Sequence, residues 1–173
     1  MKLTFKWHSL LWVPIFVCIT LSCSQDSEKL NTDINQTFIE NQVNIPESKP
    51  IEAEILSLIN NHRIEIGLKA LDTSLDIIKS QTSTHTNYMI DHKKISHDNF
   101  INRQFFLESF TGAVSVAENV AYGYSYAETL VNAWLNSPGH RRNIEGNFTH
   151  FQITAKKDEN GIWYYTNIFV KIQ

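Results

Sequence analysis

Cysteine is almost missing from this chain of 173 residues, with only Cys18 and Cys23 present. A disulfide-stapled fold is therefore excluded for everything after position 23, and stability has to come from a packed core. Proline (4) and glycine (6) are equally scarce, which rules out collagen-like and low-complexity architectures. No basic stripe is present. Two of the 15 lysines and arginines, Lys2 and Lys6, fall in the first 22 residues, leaving 13 basic against 18 acidic side chains, a net of −5. That balance argues against nucleic acid as a partner. Zinc-finger spacing, a P-loop and a dinucleotide fingerprint are all lacking. So is an apolar run long enough for a convincing membrane span: Leu10–Leu21 is too short.

That short run has another reading. Behind a basic start it ends at Leu21-Ser22-Cys23, a loose lipobox with Thr20 in place of the usual leucine. Residues 1–22 are thus expected to be a lipoprotein signal peptide and Cys23 the lipidation site. Residues 23–50 read as a polar tether, ending in the breaker-rich Pro46–Pro50 stretch. Residues 51–173 are long enough for one domain.

Within that domain the spacing predicts a helix over Glu52–Ile66, ended by Gly67, and a second over Ser74–Asp91. His85 falls on the inner face of the second and reads as a hydrogen-bonded core histidine. His62 falls near an apolar stripe, and His92 reads as solvated. A short helix is expected over Ile101–Leu107, then a strand near Val116–Ala121. A helix over Tyr126–Leu135 carries Ala127, Leu130, Val131 and Trp134 on one face. The chain closes with a hairpin, Thr149–Lys156 and Ile162–Ile172, turning through Asp158-Glu159-Asn160-Gly161. The last strand is apolar on both faces and should be central or covered on both sides.

Two stretches carry the chemistry, Ala117-Glu118-Asn119 and Trp134 to Ile144. Ser137-Pro138 reads as a helix start, with serine as N-cap and proline in the first helical position. His140 then lies in the first turn, where the helix dipole disfavours added positive charge. A neutral imidazole there can bind a metal or take a proton, and the plainer reading is a packed turn. Ser137 has a capping duty, and its spacing from His140 is wrong for a nucleophilic triad. Tyr122, Tyr124 and Tyr126 read as partly packed edge residues, with a groove-lining role as the alternative.

Five motifs occur in a fixed order: Asn60-Asn61-His62-Arg63, Ser96-His97-Asp98, Ala117-Glu118-Asn119, Trp134 to Ile144, and the hairpin from Phe148 to Val170. In that order they resemble the CAP superfamily of cysteine-rich secretory, antigen 5 and pathogenesis-related proteins, in its bacterial single-domain branch. The resemblance implies an α+β fold, a three-layer α-β-α sandwich with an antiparallel sheet and C-terminal hairpin. It also implies a cleft in which His97, Glu118 and His140 are the candidate metal-binding or catalytic residues, with Ser137 and Asn119 beside them. The family's second cleft acid is replaced here by Ser137. Zinc or another divalent metal is accordingly expected to be weakly bound. The expected role is a cell-envelope protein, anchored in the outer membrane through acylated Cys23, monomeric and facing periplasm or exterior. It would bind a small ligand, lipid, peptide or cell-wall component with weak catalysis or none. The alternatives are a metal-assisted hydrolase of peptide or cell-wall bonds and an adhesion module.

Overall fold

Side chains close both free edges of the sheet in this fold, a computed structural model that describes residues 47–173. The signal segment, Cys23 and the tether up to residue 46 lie outside the described residues. The elements in chain order are α1 (Pro50–Glu65), α2 (Asp76–Asp91), α3 (Phe100–Thr111), β1 (Ala113–Tyr122), α4 (Ala127–Asn136), α5 (Pro138–Ile144), β2 (His150–Lys157) and β3 (Trp163–Ile172). Boundaries differ from the sequence expectations by at most four residues. Pro50 sits at the head of α1, where its missing N–H costs nothing. Glu52, at the third helical position, accepts from the Lys49 amide at 2.8 Å. α3 runs four residues past the expected end, to Thr111. Gly112, left-handed at φ 68°, closes it there by donating its N–H to the Glu108 carbonyl at 3.1 Å.

The three strands are antiparallel in the order β1-β3-β2. β3 is central, as its two apolar faces require. Strand alternation divides the layers. On one face Phe151, Ile153, Ala155, Tyr165, Phe169 and Ala121 pack against Ile55 and Ile59 of α1 and Leu130, Val131 and Trp134 of α4. On the other, Ile168, Val170 and Ala113 pack against Ile78 of α2 and Leu107 of α3. The result is helices on both faces of an antiparallel sheet, an α-β-α sandwich.

The second face also carries a polar seam. Thr82 Oγ1 meets Thr154 Oγ1 at 2.8 Å, and Thr86 Oγ1 donates to Thr166 Oγ1 at 2.9 Å, all four residues being buried. Hydroxyls held between α2 and the sheet fix the register of that helix, because a slip would leave them unpaired.

Each outer strand exposes a row of backbone groups that must be satisfied. Along β2, Lys79 Nζ donates to the Ile153 carbonyl at 2.5 Å, the Ala155 amide donates to Glu52 Oε1 at 2.7 Å, and Lys49 Nζ donates to the Ala155 carbonyl at 2.6 Å. Lys79 and Glu52 are themselves an ion pair at 2.5 Å, both side chains almost wholly buried. Burial pulls the Lys79 ammonium below its usual range, against the opposing pull of Glu52. Along β1, Trp134 Nε1 donates to the Val120 carbonyl at 3.3 Å and Asn143 Nδ2 to the Glu118 carbonyl at 3.2 Å.

The Asn60–Arg63 motif acts as a clamp. Asn60 exchanges two hydrogen bonds with the Leu71 backbone at 2.8 and 3.0 Å. Arg63 is buried and donates to the carbonyls of Lys69 (2.9 Å), Ile144 (2.6 Å) and Gly146 (2.9 Å). It thereby ties α1 to the end of α5.

Candidate functional site

Successive side chains of a strand point to opposite faces, and the Glu118-Asn119 pair uses that alternation. Glu118 faces α2 and α3, while Asn119 faces α5. The Glu118 carboxylate is buried, and Arg103 of α3 grips it with both prongs, Nε to Oε2 at 2.9 Å and Nη2 to Oε1 at 2.8 Å. A bidentate guanidinium–carboxylate pair of this kind is both strong and directional. Arg103 Nη1 also donates to the Asp98 carbonyl at 2.8 Å, holding the turn that carries His97.

His97 stands in that turn, just past α2, with its side chain half exposed. Its Nδ1 lies 2.8 Å from Glu118 Oε1. That contact fixes the ring through Nδ1 and leaves Nε2 unengaged by Glu118. His85 of α2 is fully buried, with Nε2 2.7 Å from the Ser96 carbonyl and 3.7 Å from Glu118 Oε1. This is the hydrogen-bonded core histidine expected from its helical position. Burial holds its pKa below the usual histidine range.

His140 approaches from the other side of the edge strand. The Asn119 amide donates to its backbone carbonyl at 3.1 Å, and Asn143 Nδ2 reaches Asn119 Oδ1 at 2.8 Å. Its ring lies 6.3 Å from that of Trp134. Burial pushes the His140 pKa down, and a proton on His97 would push it further. Burial thus favours the neutral form of the His140 imidazole.

Ser137 occupies the N-cap position of α5 as expected, but its hydroxyl makes no capping hydrogen bond. The backbone carbonyl alone serves the helix, accepting from the Arg141 amide at 2.9 Å. Ser137 instead lines, with His140, Trp134, Tyr122, Tyr124 and Ile95, a groove of about 300 Å³ along the outer edge of β1. Tyr124 is partly buried against the core and Tyr122 is half exposed beside Tyr164, as edge residues should be, whereas Tyr126 is largely exposed. Glu118 contacts His97 and not His140, so Ser137, His140 and Glu118 form no hydrogen-bonded relay.

Glu118 has both oxygens engaged. Among the described residues no three or more His, Cys, Asp or Glu side chains are grouped around one point that a metal ion fits. A three-ligand set of His97, Glu118 and His140 is therefore not what the geometry offers. Glu118 stands behind His97 as the group that orients it, while His140 lines the groove along β1.

Arg103 was not legible as a site residue, since an arginine inside Phe100–Phe106 reads as a solvated helix face. Its only sequence signal is its place in a helix beside the Ser96-His97-Asp98 motif.

The layered antiparallel sheet with helices on both faces defines a class of fold, and comparison with known proteins gives the chain its family. The chain belongs to the CAP, or cysteine-rich secretory protein, family, which matches residues 56–169. It is 33% identical over 119 residues to the uncharacterized protein YkwD of Bacillus subtilis, covering 65% of this chain and 44% of that one. It is 28% identical over 127 residues to the uncharacterized membrane protein YlbC of the same organism, covering 69% of this chain and 34% of that one. The chain thus spans less than half the length of either relative. In structure it is similar to an outer surface protein of Borrelia burgdorferi, with TM-score 0.65, 20% identity, and coverage of 74% of this chain and 97% of that one. It is also similar to an extracellular protein of Bacillus anthracis containing an SCP domain, with TM-score 0.59, 23% identity, and coverage of 73% and 45%. No helix among the described residues is long and apolar enough to cross a membrane.

Proposed function

We propose that this chain is a ligand-binding module of the cell envelope, held at the membrane by an acylated Cys23, rather than an enzyme. The observation that carries this reading is the commitment of Glu118. A carboxylate clamped by Arg103 and hydrogen-bonded to His97 is not free to act as a base, a nucleophile or a metal ligand. Its effect is to fix one imidazole through Nδ1 and leave Nε2 for a ligand, while burial favours the neutral form of a second imidazole, His140. Such a pair accepts hydrogen bonds from a ligand or shares a divalent cation such as zinc, and a two-histidine site holds it weakly. The adjoining groove, walled by Trp134, Tyr122 and Tyr124, suits the apolar part of a lipid, peptide or cell-wall fragment.

Envelope anchoring rests on the basic start, the short apolar run and Leu21-Ser22-Cys23. It agrees with the surface and extracellular descriptions of two structurally similar proteins. Two or three acyl chains would make the anchoring stable where a single chain is marginal.

Zinc calorimetry tests the cleft. The parent protein should bind with a dissociation constant of roughly micromolar to millimolar, and His97→Ala and His140→Ala should each weaken it strongly. Parent-like binding by both variants would end the metal reading. Intact-mass measurement on the native membrane fraction tests the anchor, since unmodified Cys23 on soluble protein defeats it.

A further inference from the structure

Four of the ten large apolar side chains left exposed among the described residues fall between Ile101 and Val114, on α3 and the strand start that follows it. Ile101, Phe105 and Phe110 are 57%, 60% and 56% exposed. Single apolar side chains on a surface are ordinary, but a group of them on one element marks a contact site. At about 100° per residue, Ile101, Phe105, Ser109, Asn102, Phe106 and Phe110 follow one another around half the circumference of α3. No charged residue interrupts that arc. The two charges of the helix are occupied elsewhere. Arg103 is buried on Glu118, and Glu108 accepts from Gln104 Nε2 at 2.7 Å.

A second copy and a bilayer are the two occupants that suit an uncharged apolar face, and size decides between them. A stable protein–protein interface buries about 800 Å² on each partner. Three half-exposed side chains offer roughly 300 Å², too little to hold a second copy. A bilayer asks for less when the protein is already held beside it, because the leash supplies local concentration. From Cys23 to Lys49 the chain has 27 residues before α1 begins. Fully extended they reach about 90 Å, and a domain of this size is roughly 35 Å across. With Cys23 in the bilayer, α3 is within reach of the membrane surface.

We infer that α3 is a membrane-contacting helix, its Ile101, Phe105 and Phe110 side chains entering the interface of a phospholipid bilayer while the chain is anchored there. The inference rests on the envelope-anchoring reading above and adds which face the domain turns to the membrane. The arc carries no lysine or arginine, so contact draws on apolar burial and not on anionic headgroups. In this orientation α1 and α4, on the opposite face of the sheet, are turned away from the bilayer.

The test uses the thiol of Cys23, the only cysteine from residue 23 onward. The chain from Cys23 to Gln173 is coupled through it to a maleimide lipid in phosphatidylcholine vesicles. This supplies the leash whether or not a cell acylates Cys23, so the result stands apart from the mass measurement of the anchor. A tryptophan introduced by Phe105→Trp, read against the parent's Trp134 and Trp163, should be quenched by lipids brominated along the acyl chain. One introduced by Asn132→Trp, exposed on α4, should not. Quenching at position 105 should be unchanged by added phosphatidylglycerol or by high salt. Most of it should be lost when Ile101→Ser and Phe110→Ser are added. All three patch positions are more than half exposed, so these substitutions spare the fold. Quenching at 105 no greater than at 132, or quenching that requires anionic lipid, would overturn the inference. A dimer in sedimentation that dissociates on Phe105→Ser would also overturn it, by giving the face to a second copy.

Discussion

Arg103 and Glu118 form a two-pronged ion pair at 2.9 and 2.8 Å, with both side chains out of solvent. The pair joins α3 to the edge strand β1 and sets the position of His97. Removing one partner leaves the other charged and buried. Glu118→Gln and Arg103→Met should therefore each destabilise the domain by about 3–5 kcal/mol. Glu118→Leu combined with Arg103→Met should cost much less than the sum of the single losses. Urea unfolding of the parent and these variants measures the coupling.

Acidification should destabilise the domain before any carboxylate titrates. The folded-state pKa values of His85 and His140 both lie below the ordinary histidine value, chiefly because of burial. The unfolded chain consequently binds protons more readily than the folded one. Stability from these two groups is complete above about pH 6.5, the unfolded value, and drains away as pH falls from there toward the depressed folded values. The urea midpoint should drop as the pH is lowered through that histidine range. In His140→Gln the drop should shrink, and a parent-sized drop would assign the effect to His85 alone.

Lys79→Met should unfold the protein more readily by about 3 kcal/mol or more, because Glu52 is then left buried without its counter-charge. The Ile153 carbonyl loses a donor at the same time. Glu52→Gln should be milder than Lys79→Met if the retained amide oxygen still accepts from Ala155. Thermal melts of the two variants rank them.

Chelator should leave folding intact. The core is aromatic and aliphatic, the sheet edges are closed by protein side chains, and no cysteine follows position 23. Melts with and without chelator should coincide within the small shift expected of a weak bound ligand. Loss of the cooperative transition would make a metal part of the fold.

Much of this architecture was legible because periodicity is local. Ala127, Leu130, Val131 and Trp134 announce the buried face of α4, and the two-faced apolar pattern of Trp163–Ile172 announces a central strand. The site was legible only in part. His97, Glu118 and His140 stand in recognisable motifs, and the His97–Glu118 contact is present. The use of Glu118 as an orienting group depends on Arg103, whose neighbourhood in sequence gives no hint that its head is buried. Lys79 and Glu52 were opaque for the same reason. A charge at one helical position reads as surface until a strand edge is brought against it. The capping role assigned to Ser137 fell to its carbonyl, because Asn119 and Asn143 already hold the α5 segment against β1.

The central position of β3 governs how the chain must fold. β1 and β2 each pair with β3 and not with one another, so no two strands of this sheet can zip together until Trp163–Ile172 has been made. Before that moment the chain can form helical turns but no ladder, and its two outer strands have nothing to template on. Folding is thereby deferred to the end of the domain's synthesis and is dominated by pairings distant in sequence, which are slow to close.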